Sequence, residues 1–168
     1  MPALPLQPKT SRNLSAKHCG GLQGFIVDVE GFNEQSTSLR SASQSQVQTD
    51  VELRVRKAGI QLSTENEWPN SLYHPAIIVN LRLFSLEKPL EDVYTYNITV
   101  KVMQDVRPMA WIIRERDGNE WKKSIWATTW DKGITGAITK NQLGALRNQV
   151  NDLVDQFIND YLAANRKR

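Results

Sequence analysis

The chain has 168 residues, with 21 Lys and Arg against 18 Asp and Glu and a single cysteine. That is long enough for one domain with a sizeable core, and one thiol excludes an internal disulfide framework. No run of eighteen apolar residues occurs, which excludes a membrane-spanning helix. The basic excess lies at the two ends, in Lys9, Arg12 and Lys17 and in Arg166, Lys167 and Arg168, so residues 21 to 165 carry a formal net charge of −3. A cationic nucleic-acid face on the folded body is therefore not expected.

Residues 1–21 contain Pro2, Pro5 and Pro8, close in Gly20-Gly21 and read as a disordered N-terminal segment. They lack the apolar stretch of an intact secretory signal, and Cys19 follows Ser15-Ala16-Lys17-His18 rather than the small apolar residues a lipid attachment site requires. Residues 22–165 form a single α/β domain, and 166–168 a basic tail. A first strand is expected over Leu22 to Phe32, with Phe25, Val27 and Val29 alternating against Ile26, Asp28 and Glu30.

A helix follows, capped within Ser36 to Ser38 and running to about Ala58. Its apolar positions are Val47, Val51 and Val55, with Gln48, Glu52, Arg56 and Lys57 turned away. Gly59 suits the residue just past the helix end, where a left-handed backbone is usual. Ile60 to Leu62 reads as a short extended piece and Ser63 to Ser71 as a loop. The second strand is predicted over Tyr73 to Phe84. The third, Val93 to Gln104, has the clearest alternation, Tyr94, Tyr96, Ile98, Val100 and Val102 against Thr95, Asn97, Thr99 and Lys101.

Pro108 interrupts that ladder, and Arg116-Asp117-Gly118-Asn119 is a tight-turn signal. A long hairpin that bends near Pro108 and returns over Lys122 to Trp130 accounts for both. Asp131 to Thr139, with Gly133 and Gly136, reads as a loop. Thr139 then caps a last helix from Lys140 to about Ala164, roughly 36 Å long at 1.5 Å per residue, whose stripe runs from Leu143 and Leu146 through Val150, Leu153, Val154, Phe157 and Ile158 to Tyr161 and Leu162. Asp152, Asp155 and Asp160 fall on its polar side. The expected fold is a two-layer α+β sandwich: a mainly antiparallel sheet of four to five strands with two helices on one face, in the order β-α-β-β-β(-β)-α.

No catalytic constellation is legible. Two histidines and one cysteine give no metal-ligand spacing, Gly20-Gly21 and Gly133 to Gly136 match neither a phosphate loop nor a dinucleotide fingerprint, and no cofactor is expected. The unusual feature is tryptophan: Trp111, Trp121, Trp126 and Trp130 lie within twenty residues, with Arg114 and Lys122 among them and Trp68 in an earlier loop. Such rings either pack beneath and over the sheet or form an exposed surface for a partner. These six residues, Trp111, Trp121, Trp126, Trp130, Arg114 and Lys122, are the candidate binding set.

The segments Thr49 to Ile60, Trp126-Ala127-Thr128-Thr129-Trp130 and Val150 to Leu162 resemble those of a group of uncharacterised bacterial proteins, commonly exported. The element order is similar to that of small envelope domains such as the N-terminal domain of TolB and the auxiliary lipoproteins of envelope transport systems. The resemblance implies an α/β envelope accessory domain, periplasmic or otherwise exported, and brings no catalytic residues. The functional expectation is a non-enzymatic binding or assembly module with a protein partner or a second copy of itself. Two alternatives are an enzyme whose site joins Glu65, Glu67 and His74, and nucleic-acid binding through the basic ends.

Overall fold

The computed structural model describes residues 24–31, 44–71, 73–106 and 125–165. They form β1 (Ile26–Glu30), α1 (Gln44–Lys57), β2 (Ala76–Ser85), β3 (Val93–Val106), β4 (Ile125–Thr139) and α2 (Ala145–Ala164), with 3₁₀ turns at Trp68–Asn70 and Lys140–Gln142. The four strands lie side by side in chain order, β1 parallel to β2 and the other two pairings antiparallel. The expected α+β sandwich is therefore present, with four strands among the described residues.

One face of this sheet is apolar. Val27 and Val29 of β1 stand in register with Ile77 and Val79 of β2, which in turn face Val102 and Val100 of β3. Leu81 and Leu83 continue the layer opposite Ile98 and Tyr96. All of these side chains are buried, together with Val47, Val51 and Val55 of α1 and Leu146, Val150, Leu153, Val154, Phe157 and Ile158 of α2, in one core. Removing that apolar area from water is the main stabilising term, at about 25 cal/mol per Å².

The topology makes the two helices parallel, because α1 runs back from β1 to reach the parallel β2 and α2 runs back from β4, which has the same direction as β1. Parallel helix dipoles side by side repel weakly, and two opposed charge pairs bridge them. Arg54 of α1 holds both carboxylate oxygens of Asp155, at 2.9 and 2.7 Å. Arg147 of α2 grips Asp50 through Nε and Nη2, and that bond holds the Asp50 carboxyl below the usual carboxylate range.

The short edge strand β1 is closed off by its own helix. Ile26 N–H donates to the Pro75 carbonyl on the β2 side, so residues 25, 27 and 29 direct their backbone groups outward. Phe25 pairs with Gln61 and Ser63 through backbone bonds, and the carbonyls of Val29 and Val27 accept from Gln44 Nε2 at 2.6 Å and Gln48 Nε2 at 3.4 Å. Four helical residues rise about 6 Å and two strand residues about 6.6 Å. Glutamines four apart thus match every second carbonyl of the strand.

Several expected boundaries differ. The first strand is shorter than Leu22 to Phe32. The first helix is described only from Gln44, so its expected cap at residues 36–38 lies outside the described residues. Gly59 has φ +77°, as a residue past a helix end requires, and Leu62 makes a parallel bridge to Phe25. Gln48 does not face solvent but turns to the edge of β1. The second strand begins at Ala76 rather than Tyr73, since Tyr73 and His74 adopt φ of +67° and +43°, incompatible with a strand.

Asp131 to Thr139 is not a loop: it is the second half of β4, paired with β3 from Lys101 to Val93. Its glycines are accommodated by their neighbours on β3. A Cβ on Gly136 would lie 2.6 Å from the Tyr96 hydroxyl, and one on Gly133 would lie 3.1 Å from the Ile98 carbonyl oxygen. Here glycine marks close approach of a neighbouring strand rather than a turn. The last helix begins at Ala145 after the 3₁₀ turn, and the Thr139 hydroxyl donates to Gln142 Oε1 and accepts no bond from a helix N–H. Leu162 is exposed, whereas Asp155 and Asp160, expected to be solvated, are engaged by Arg54 and Trp130.

Candidate functional site

Between Val102 and Met103 the β3–β4 ladder slips: Val102 pairs with Trp130 but Met103 pairs with Thr128, leaving Thr129 as an extra residue on β4. In a regular strand residues four apart share a face. With one residue inserted they do not. Trp130 therefore points into the core, 2% exposed, with its Nε1 donating to Asp160 at 2.9 Å and its ring edge-on to Phe157 at 5.4 Å. Trp126 stands opposite Asp105 on the other side of the sheet and is 46% exposed.

That outer end of the sheet is built by the loop after α1. Thr64 and Glu67 form a reciprocal cap, the Glu67 N–H donating to Thr64 Oγ1 and the Thr64 N–H donating to Glu67 Oε2. The same backbone bond keeps the Glu67 carboxyl below its usual range. The cap leads into the turn Trp68–Asn70, where Pro69 occupies an early position without needing to donate a hydrogen bond. Trp68 Nε1 donates to the Pro75 carbonyl at 3.0 Å, which fixes the indole beside the start of β2.

Trp68 then joins two partners. Its ring lies edge-on to Trp126 at 6.1 Å and to His74 at 5.4 Å. His74 Nδ1 lies 2.8 Å from Asp105 Oδ2, and Nε2 lies 2.9 Å from the Pro69 carbonyl oxygen. Both neighbours are acceptors, so the ring satisfies both only as the doubly protonated imidazolium. The bond to Asp105, then that to Pro69, raises the His74 pKa above its ordinary value of 6.5. Asp105 N–H also donates to the Tyr73 carbonyl at 2.7 Å, and Tyr73 itself is 49% exposed. The result is an aromatic patch of Trp126 and Trp68 beside the His74–Asp105 pair, with the exposed Tyr73 next to His74 in the chain.

Of the candidate residues, Trp126 belongs to this patch and Trp130 to the core, while Trp111, Trp121, Arg114 and Lys122 lie outside the described residues. The expected hairpin bend at Pro108 and the turn at 116–119 lie outside them as well. The loop does not join Glu65 and Glu67 to His74 by hydrogen bonds: Glu67 caps its own turn and His74 is taken by Asp105 and Pro69. Asp105 and Gln44 carry no local sequence signal, and Gln48 reads in the sequence only as a residue turned away from the core. The Thr64-Glu65-Asn66-Glu67 spacing is a legible capping signal for the turn that carries Trp68.

Among the described residues no group of three or more His, Cys, Asp or Glu side chains is placed to hold a metal ion, and no helix is long and apolar enough to cross a membrane. An open groove of about 680 Å³ lies between the helices, lined by Asp50, Leu53, Arg54, Lys57, Arg147 and Asn151 among others. Its two arginines are already paired with Asp155 and Asp50.

No family model matches the chain, and no curated protein matches it either. Among solved structures, a minor lipoprotein from Acinetobacter baumannii is similar over 86% of this chain and 93% of its own, with 14% sequence identity and a TM-score of 0.39. A superposition that loose carries no inference about function.

Proposed function

We propose that the chain is a non-enzymatic binding or assembly module that contacts a protein partner through the open edge of β4 and the aromatic patch at its beginning. The observation that supports this is the contrast between the two sheet edges. The edge of β1 is short and has its Val27 and Val29 carbonyls taken by glutamines of α1, whereas the fifteen residues of β4 have no strand on their far side among the described residues. An open edge supplies main-chain hydrogen bonds to an incoming strand, and a half-exposed indole beside it supplies anchoring area.

The same edge is guarded against indiscriminate pairing. Lys132, in register with Val100, is a charge on the helix side of β4, and the bulge at Thr129 breaks its flatness. Those devices favour a specific partner over open-ended stacking of copies. Both ring nitrogens of His74 are engaged within the chain, by Asp105 and by the Pro69 carbonyl, which supports a binding role over a catalytic one. A setting in the bacterial cell envelope, as an accessory protein, is supported by the resemblance of Thr49 to Ile60, Trp126 to Trp130 and Val150 to Leu162 to a group of bacterial proteins that are commonly exported.

Site-specific photo-crosslinkers placed at positions 126 and 134, with one at position 57 on the helix side as control, test the surface in intact cells. The reading expects one discrete cross-linked protein from positions 126 and 134 and none from 57. Equal capture from all three positions, or capture from 57 alone, contradicts it.

A further inference from the structure

His74 ties two parts of the molecule together through a proton. Its Nδ1 side meets the Asp105 carboxylate of β3, and its Nε2 side meets the Pro69 carbonyl of the Trp68–Asn70 turn. A singly protonated imidazole has one N–H, and the carboxylate is the stronger acceptor, so the neutral ring keeps its proton on Nδ1 toward Asp105. Its Nε2 lone pair then faces the lone pairs of the Pro69 carbonyl at 2.9 Å. An attraction becomes a repulsion, and the turn loses its tie to β3.

We propose that the proton on Nε2 of His74 is a latch: doubly protonated, His74 clamps the Trp68–Asn70 turn to β3, and singly protonated, it releases the turn and lets the Trp68–Trp126 surface rearrange. The backbone supports a stored tension at this point, because Tyr73 and His74 are consecutive non-glycine residues in the left-handed region, φ +67° and +43°. Such residues persist where surrounding contacts hold them. The contacts that hold them here are those of His74 and the bond from Asp105 N–H to the Tyr73 carbonyl.

Among the described residues, the groups facing the ring are few. From β3 comes Asp105. The turn contributes Trp68 and the Pro69 carbonyl, and behind Trp68 stands the neutral Trp126 of β4. Of the two acids in the loop, Glu67 is held by Thr64 and Glu65 is exposed. His74 itself is the group among these whose charge changes near neutrality. Its pKa is raised in the folded state, so the latch contribution to stability is complete below 6.5 and is lost as pH rises through the higher folded value.

The test is a pH titration of the full chain by NMR, following the His74 ring and the indole N–H signals of Trp68 and Trp126, with His74→Gln used for assignment. The expected result is a His74 midpoint above 6.5, with the Trp68 and Trp126 signals moving at the same midpoint while Trp130, bonded to Asp160, stays still. Asp105→Asn should lower the midpoint. A wild-type midpoint at or below 6.5, or indole signals of Trp68 and Trp126 that do not follow the His74 titration, overturns the latch whether or not either variant folds. The titration needs no partner, so its failure leaves the binding reading of β4 to its own experiment.

Discussion

Trp126 and Trp130, four residues apart on one strand, stand on opposite faces of the sheet because Thr129 is inserted between the pairs Met103–Thr128 and Val102–Trp130. The two indoles consequently have different jobs. Trp130→Ala removes a ring enclosed by Phe157 and bonded to Asp160, and should cost about 3–5 kcal/mol in a denaturant titration. Trp126→Ala removes a half-exposed ring and should cost no more than about 1 kcal/mol, the edge contact to Trp68 being the main loss. Similar losses for both variants would mean that the bulge does not separate them.

Deleting Thr129 is a sharper probe of the same relationship. A regular ladder moves one indole to the other face, either burying Trp126 among core residues or expelling Trp130 from its site beside Phe157. The folded variant, if it forms, should lose several kcal/mol. Near-wild-type stability with unchanged quenching of tryptophan fluorescence by acrylamide would count against the register described.

Much of the fold is legible in the residues, and the failures have identifiable physical causes. Even positions of β3 from Tyr94 to Val102 predict their own burial, as do Val47, Val51 and Val55. Gly133 and Gly136 mislead because glycine serves both turns and close strand approach, and only the position of Tyr96 and Ile98 across the ladder distinguishes the two. The mixed faces of residues 125–130 look like weak strand character, whereas they are the signature of a bulge. The aromatic patch was half legible: Trp126 is visible as a candidate, but its neighbours Trp68, His74 and Asp105 come from segments up to 58 residues away. No local spacing announces them.

Gly136→Ala places a methyl group against the Tyr96 ring, with contacts of 2.6, 2.8 and 3.0 Å to its outer atoms. Destabilisation of about 1–3 kcal/mol is expected, as for overpacking generally. In the background of Tyr96→Leu, which removes the hydroxyl and the far edge of the ring, the added cost of the alanine should fall. A double-mutant cycle measures that coupling, and additive losses would argue that the two residues do not touch.

The helix pair Asp50–Arg147 sets an acid limit. Hydrogen bonding to Arg147 lowers the folded pKa of Asp50 from its usual 3.8. The contribution to stability is therefore present above about 3.8 and disappears as pH falls through the lower folded value. Both side chains are partly solvated, so solvent screening keeps the pair's contribution small. Asp50→Asn should flatten the stability profile below about pH 3.8. An unchanged slope there would show that Arg147 does not engage Asp50 in solution.

Gln44→Ala with Gln48→Ala strips the hydrogen bonds from the Val29 and Val27 carbonyls. Each lost bond should cost about 0.5–1.5 kcal/mol, and the uncovered β1 edge should promote self-association detectable by light scattering. A monomeric double variant of wild-type stability would mean that α1 does not seal that edge.

Amide hydrogen exchange along β4, measured on the free protein and on the complex with whatever protein is captured at position 126, tests the contact surface most directly. In the free protein alternate amides of residues 125–139 should exchange fast, since every second N–H of an edge strand faces solvent. In the complex those same amides should become protected while amides of α1 around Leu53 and Lys57 are unchanged. Protection confined to the helix layer, with the β4 amides exchanging as fast as before, would contradict a partner seated on the open edge.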